Sequence, residues 1–165
     1  MWFVPPGTPH AIGAGVFILE VQEPSDFSIV LETRGFPVDR DDAHLALGWD
    51  VTIDAVDRHP LSEADVESLH GSWRVPGSIL PAAADEFFWA ETIDTERFAA
   101  PDLPPTFSVG VVTAGRGTVR TEGGELAVRA GETFALPAAA VAGARFEATG
   151  RLEVIVCGGA PGGPT

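Results

Sequence analysis

The stretch VTAGRGTVRTEGGELAVRAGETFALPAA, residues 112–139, decides the fold. Its apolar and β-branched residues come in short runs, and glycine interrupts each of them. Thr118-Val119-Arg120-Thr121 leads into Gly123-Gly124, a hairpin signal, and Glu125-Leu126-Ala127-Val128-Arg129 leads back. Ala130-Gly131-Glu132 then turns the chain into Thr133-Phe134-Ala135-Leu136-Pro137. Gly115-Arg116-Gly117 reads as one more turn, separating this series from Phe107-Ser108-Val109-Gly110-Val111-Val112. Short strands at this spacing predict an antiparallel sandwich or small barrel.

The pattern continues outward on both sides. Phe87-Phe88-Trp89-Ala90-Glu91-Thr92-Ile93 reads as a strand ahead of the proline-rich link Pro101–Pro105, and Arg151–Cys157 closes the series. Residues 158–165 read as a mobile tail. Upstream, the segment from His59 to about Leu80 carries a helix signal: Ser62 as cap, Asp65 three residues later, and Val66 and Leu69 as an apolar stripe. This places His70 in the last turn and makes Gly71 a C-terminal stop.

Residues 1–58 hold further strand-like runs. Phe17-Ile18-Leu19-Glu20-Val21-Gln22 alternates at its end, which puts Glu20 and Gln22 on one face. Phe27-Ser28-Ile29-Val30-Leu31-Glu32 is a second run, while His44–Val51 suits either a strand or a helix. The division expected is thus 1–58, a linker with one short helix at 59–86, a β barrel at 87–157, and the tail.

Composition narrows the function classes. The chain has 165 residues, 45% of them hydrophobic, with 19 glycines and 14 prolines, as a turn-rich β protein requires. A net charge of −14 argues against nucleic acid, which needs a clustered basic face. No apolar run is long enough to span a membrane, and no secretory pattern opens the chain. One cysteine, Cys157, excludes an intrachain disulfide and fits a cytoplasmic location. There is no lysine, so any anion must be held by arginine or by backbone N–H groups.

Two segments carry a resemblance. VTAGRGTVRTEGGELAVRAGETFALPAA resembles the strand-turn signature of a cupin barrel. FVPPGTPHAIGAGVFILEVQEPSD, residues 3–26, closely resembles the metal-binding strand of the class I, zinc-dependent mannose-6-phosphate isomerases, through His10-Ala11-Ile12-Gly13, Gly15, Leu19-Glu20, Gln22, Ser25 and Asp26. The resemblance implies a mainly β protein of cupin or jelly-roll barrels with one short helical insertion. Residues 1–58 would be the C-terminal half of a metal-binding cupin, and 87–157 a second, metal-free one.

The same resemblance makes His10 a zinc ligand and implies a sugar-phosphate substrate. It makes Glu20 a candidate catalytic carboxylate near metal or sugar hydroxyls. The family's arginine in the Ser-Asp segment is replaced here by Val30, which leaves Arg34 as the candidate phosphate anchor. The family's other zinc ligands precede this strand, so the chain is expected to be an incomplete member or to begin at a mis-called Met1. Its missing half would come from a complementary N-terminal chain or a second copy. The alternative is a catalytically silent cupin module that binds sugar or pairs with another chain. His44, His59 and His70 have poor ligand spacing and read as structural or surface residues. Gly115-Arg116-Gly117 is a weak phosphate-turn signal.

Overall fold

The computed structural model describes residues 1–23, 27–72, 78–97 and 102–160, in two compact units. Ser25 and Asp26 of the family motif, the start of the Pro101–Pro105 link and residues 161–165 of the expected tail lie outside the described residues.

The unit Val4–Ser62 is built from turns and two single-turn helices. Helix α1, Arg40–Ala43, is capped by Asp39, whose Oδ1 accepts from the Asp42 N–H at 2.9 Å. Leu45 and Ala46 follow with positive φ, and the Ala46 N–H returns to the Asp41 carbonyl at 2.7 Å to close the turn. Helix α2, Trp49–Thr52, runs on into a 3₁₀ turn. Buried Thr52 donates its hydroxyl to the Gly48 carbonyl at 3.0 Å. His44–Val51 is therefore neither one strand nor one helix. His44 is buried, its ring 5.2 Å from that of Trp49.

Among the described residues of this unit no strand forms, which corrects the strands expected at 17–22 and 27–32. The alternation is real but has no ladder to join. A lone extended segment gains nothing from period two unless a neighbour takes its N–H and C=O groups and covers its apolar face. Phe17 is consequently 97% exposed and Phe27 83%.

The other unit joins residues 1–3 to 63–165. Residues 1–3 run antiparallel to 69–71: the Phe3 N–H meets the Leu69 carbonyl at 2.9 Å, and the Gly71 N–H meets that of Met1 at 3.0 Å. Phe3 is buried against the ring of Phe87. Helix α3, Glu63–Ser68, starts directly after Ser62 as its sequence predicts, but it ends before His70. His70 sits instead in a bridge with Trp2, their rings 4.7 Å apart. Gly71 does not adopt the left-handed stop expected of it. It is glycine because the Ile79 carbonyl lies where a Cβ would be.

A six-stranded antiparallel sheet follows. Its strands are β1 (Phe88–Asp94), β2 (Ser108–Thr121), β3 (Gly124–Arg129) and β4 (Thr133–Leu136), then β5 (Arg145–Glu147) and β6 (Leu152–Gly159). A single-turn helix, α4 (Ala138–Val141), precedes β5. The path is β1-β6-β2-β3, with β4 and β5 also pairing β2. The first part of β2 pairs β4 and β6, the second β3 and β5, so one long strand serves two groups of partners.

The expected turn at Gly115-Arg116-Gly117 is in fact inside β2. A bulge between Val112 and Ala114 bends the strand there, and Gly115 takes φ +76°. The bulge has a purpose that side-chain parity exposes. Val112 is 1% exposed and Val119 is 3% exposed, yet they lie seven positions apart, and an odd spacing puts residues on opposite faces of a regular strand. One extra residue restores both to the interior.

That interior is apolar. Trp89, Ile93, Val112, Val119, Val128, Phe134, Leu136, Leu152, Val154 and Val156 form one cluster. Each buried aliphatic side chain contributes roughly 1.5–3 kcal/mol. A smaller cluster of Ile79, Ala90 and Cys157 covers the outer face of β1 and β6, so that pair is buried on both sides. Strand β6 carries through Gly158 and Gly159, residues expected to begin the tail.

Candidate functional site

His10 lies in the loop that follows the Pro5–Thr8 turn and is exposed. Its Nδ1 is 2.9 Å from the carbonyl of its near neighbour Thr8. A carbonyl only accepts, so Nδ1 carries the proton, and in the neutral ring the lone pair is left on Nε2. This is the arrangement that fixes an imidazole for metal binding through Nε2.

The loop is held by local backbone demands. Gly7 has φ +81°, and a Cβ there would come within 2.9 Å of the Ala55 carbonyl. Its own carbonyl accepts from the Asp57 N–H at 2.8 Å, which ties the segment before His10 to the segment at 55–59. Between them is a groove of about 470 Å³ lined by Thr8, Pro9, Asp57, Arg58, His59 and others.

His59, on the rim of that groove, is oriented the same way by a different oxygen. Asp57 Oδ1 accepts from the His59 N–H at 2.9 Å and lies 2.7 Å from its Nδ1. The backbone hydrogen bond, followed by the ring, holds the Asp57 carboxyl below its ordinary range. The Asp57-Arg58-His59 spacing was the available signal for this pair, but two residues of that kind are common in solvated turns.

Glu20 and Arg34 are both exposed, and neither side chain has a hydrogen-bond or ion-pair partner among the described residues. Among the described residues no group of three or more His, Cys, Asp or Glu side chains converges on a common point where a metal ion could sit. Of the three residues singled out by sequence, only His10 has an orienting contact.

In the barrel unit, one carboxylate stands apart. Glu91 shares its face of β1 with core residues Trp89 and Ile93, opposite buried Val156. Its Oε2 is buried with no hydrogen-bond partner among the described residues, and burial pushes the carboxyl above its ordinary range. At the end of the same strand Asp94 is buried too, but it is matched by Arg151 at 3.2 Å and by Arg97 at 3.7 Å. Sequence reading overlooked Glu91 because an alternating strand does not state which of its faces will be covered.

No family model matches the chain, and no curated protein matches it. Solved structures do. A "putative mannosephosphate isomerase" from Archaeoglobus fulgidus is similar over 66% of this chain, with 13% identity and a TM-score of 0.50. This chain spans only 32% of that protein's length. An RmlC-like cupin with a double-stranded β-helix fold, from Methanocaldococcus jannaschii, is 14% identical over 53% of this chain and 80% of its own, TM-score 0.42. The EutQ protein of Clostridium difficile is 10% identical over 54% of this chain and 68% of its own, TM-score 0.40. At such identities the likeness is one of fold. The fold is mainly β and antiparallel, and its structural neighbours include cupins.

Proposed function

We propose that the chain is a mannose-6-phosphate isomerase-like protein that takes part in aldose–ketose isomerisation of a sugar phosphate, with His10 as one zinc ligand. The observation that carries this reading is the His10 imidazole, whose Nδ1–H is engaged by Thr8 and whose Nε2 has no partner among the described residues. The 3–26 motif and the fold likeness to the Archaeoglobus protein support it.

The donor set does not by itself fit a catalytic zinc, which takes three protein ligands and an open position. The described residues offer one oriented ligand and no converging group. In this proposal the remaining ligands belong to further polypeptide, a complementary chain or a second copy. The exposed Phe17, Ile18, Val21 and Phe27 support such completion, since uncovered apolar side chains in one short segment mark a surface meant to be covered. Glu20 is the proposed base for moving a proton between neighbouring carbons, and Arg34 the proposed phosphate anchor.

A coupled assay for fructose 6-phosphate made from mannose 6-phosphate tests the reading, run with zinc over rising chain concentration. Turnover that His10→Ala removes is the expected result. No turnover at any concentration overturns the enzyme reading and favours the second one: a silent cupin module that binds sugar or pairs with another chain. The apolar filling of the barrel interior at Trp89, Val112, Phe134 and Val156 favours that alternative for the 63–165 unit.

A further inference from the structure

The outer face of the β3-β2-β5 sheet carries a charge pattern that stability does not explain. Val119 points into the core, so its neighbours Thr118 and Arg120, and with them Arg116, point outward. In the register of the sheet Arg116 stands directly opposite Arg129, and Arg120 directly opposite Arg145. Four of the chain's ten basic residues thus share one small face of a protein with net charge −14. Like charges directly opposite one another across a ladder are destabilising.

Carboxylates relieve this only in part. Arg129 meets Glu132 through Nε at 2.9 Å, and Arg120 meets Glu147 and Glu125 through Nε at 3.2 and 3.4 Å. Arg116 and Arg145 have no carboxylate partner among the described residues. The ion pairs engage the Nε edges of Arg120 and Arg129, and among the described residues no acceptor meets the Nη groups of those two, whereas Arg145 gives Nη1 to the Ala144 carbonyl. Arg116, Arg120 and Arg129 line an open concavity of about 650 Å³ together with Thr118, Thr149 and the carboxylates Glu132 and Glu147, each of which is already paired with an arginine. That volume is of small-molecule size.

We propose that this face is a phosphate-binding site, in which Arg116 and Arg129 share one phosphate dianion. A guanidinium offers two parallel N–H donors to a phosphate, and two such forks on facing strands convert a repulsive pair into a clamp. The threonine hydroxyls extend the donor set toward the rest of a small phosphate ester. The site lies wholly within the 63–165 unit and requires neither His10 nor zinc, so it stands or falls independently of the isomerase reading.

The test is a titration followed by the arginine side-chain N–H resonances of the labelled protein. Inorganic phosphate is one ligand and glucose 6-phosphate another, each against sodium chloride at matched ionic strength. Saturable shifts at Arg116 and Arg129 with either phosphate, absent with chloride, are expected. Tighter binding of glucose 6-phosphate supports an organic ester as the ligand, and equal binding supports phosphate itself. Arg116→Gln weakens binding about tenfold, or roughly 1.4 kcal/mol, while raising the melting temperature without phosphate because the opposed charge is gone. Arg58→Gln, in the other unit, leaves phosphate binding unchanged. Shifts that chloride reproduces, or an affinity that Arg116→Gln does not alter, overturn the proposal.

Discussion

Arg151, the residue before β6, reaches the Asp94 carboxylate at the end of β1, with a nitrogen 3.2 Å from Oδ2, and Asp94 is only 2% exposed. The same guanidinium also pairs with Glu153. Asp94 Oδ1 accepts from the Glu96 N–H at 3.1 Å, so the carboxylate organises the turn as well. This cluster fastens one end of the β1–β6 pair.

Removing the arginine is more harmful than removing either carboxylate, because it leaves Asp94 buried with only the looser Arg97 at 3.7 Å. Arg151→Ala is expected to cost about 3 kcal/mol, near the lower end for breaking a buried pair, since Arg151 itself is partly exposed. Glu153→Gln should cost less than about 1 kcal/mol. Chemical denaturation of the two variants measures both, and equal losses would refute the asymmetry.

The bend in β2 depends on Gly115. Its φ of +76° is unfavourable for any residue with a Cβ, and the Arg151 carbonyl occupies the place of that Cβ. Backbone cannot rotate away as a side chain can, so strain and clash add. Gly115→Ala is expected to lose at least about 2 kcal/mol. Gly123→Ala, where only the Thr121 hydroxyl is near at 3.6 Å, should cost much less by the same denaturation measurement.

Glu91 gives a pH signature. Its carboxyl is raised above the ordinary 4.5 by burial, so between that value and the raised one the folded state holds a proton the unfolded state has released. Stability from this group is therefore full at low pH and falls as pH climbs through that window. Glu91→Gln removes the charge and should raise the melting temperature at pH 7, with the difference from the native protein vanishing near pH 4. A difference that persists unchanged at acid pH would contradict this account.

Cys157 should be inert. It is buried in the cluster with Ile79 and Ala90, its sulfur 3.6 Å from the Val109 carbonyl, and burial pushes the thiol above its ordinary value. Thiol-reactive dye is expected to label the native protein slowly at pH 8 and the denatured protein at once. Equal rates would show that β6 opens readily.

What could be read from the sequence was whatever local turn chemistry dictates. Gly123-Gly124 and Ala130-Gly131-Glu132 place their turns with no help from distant residues, so β3 and β4 were legible to within a residue or two. Gly115-Arg116-Gly117 was not. The same glycines that suit a turn also suit a bulged strand approached by other backbone, and only β6 and the segment at Glu147 decide between them. At Phe17–Gln22 the period was legible and the outcome was not, because pairing depends on a partner strand that local sequence does not specify. His10 stood out through its motif, whereas Thr8 as its orienting acceptor depends on how the loop folds. The facing arginines were invisible for the same reason: residues 116 and 129 become neighbours only in register.

The proposed binding of zinc by His10 through Nε2 is open to a direct test, the ring nitrogen spectrum of labelled histidine. Without metal, a proton is expected on Nδ1, the nitrogen 2.9 Å from the Thr8 carbonyl. On adding zinc at a chain concentration high enough for a second copy to complete the site, the His10 Nε2 resonance should shift while Nδ1 retains its proton. A His10 spectrum that zinc leaves unchanged, or one in which Nδ1 is the nitrogen that coordinates, would contradict it.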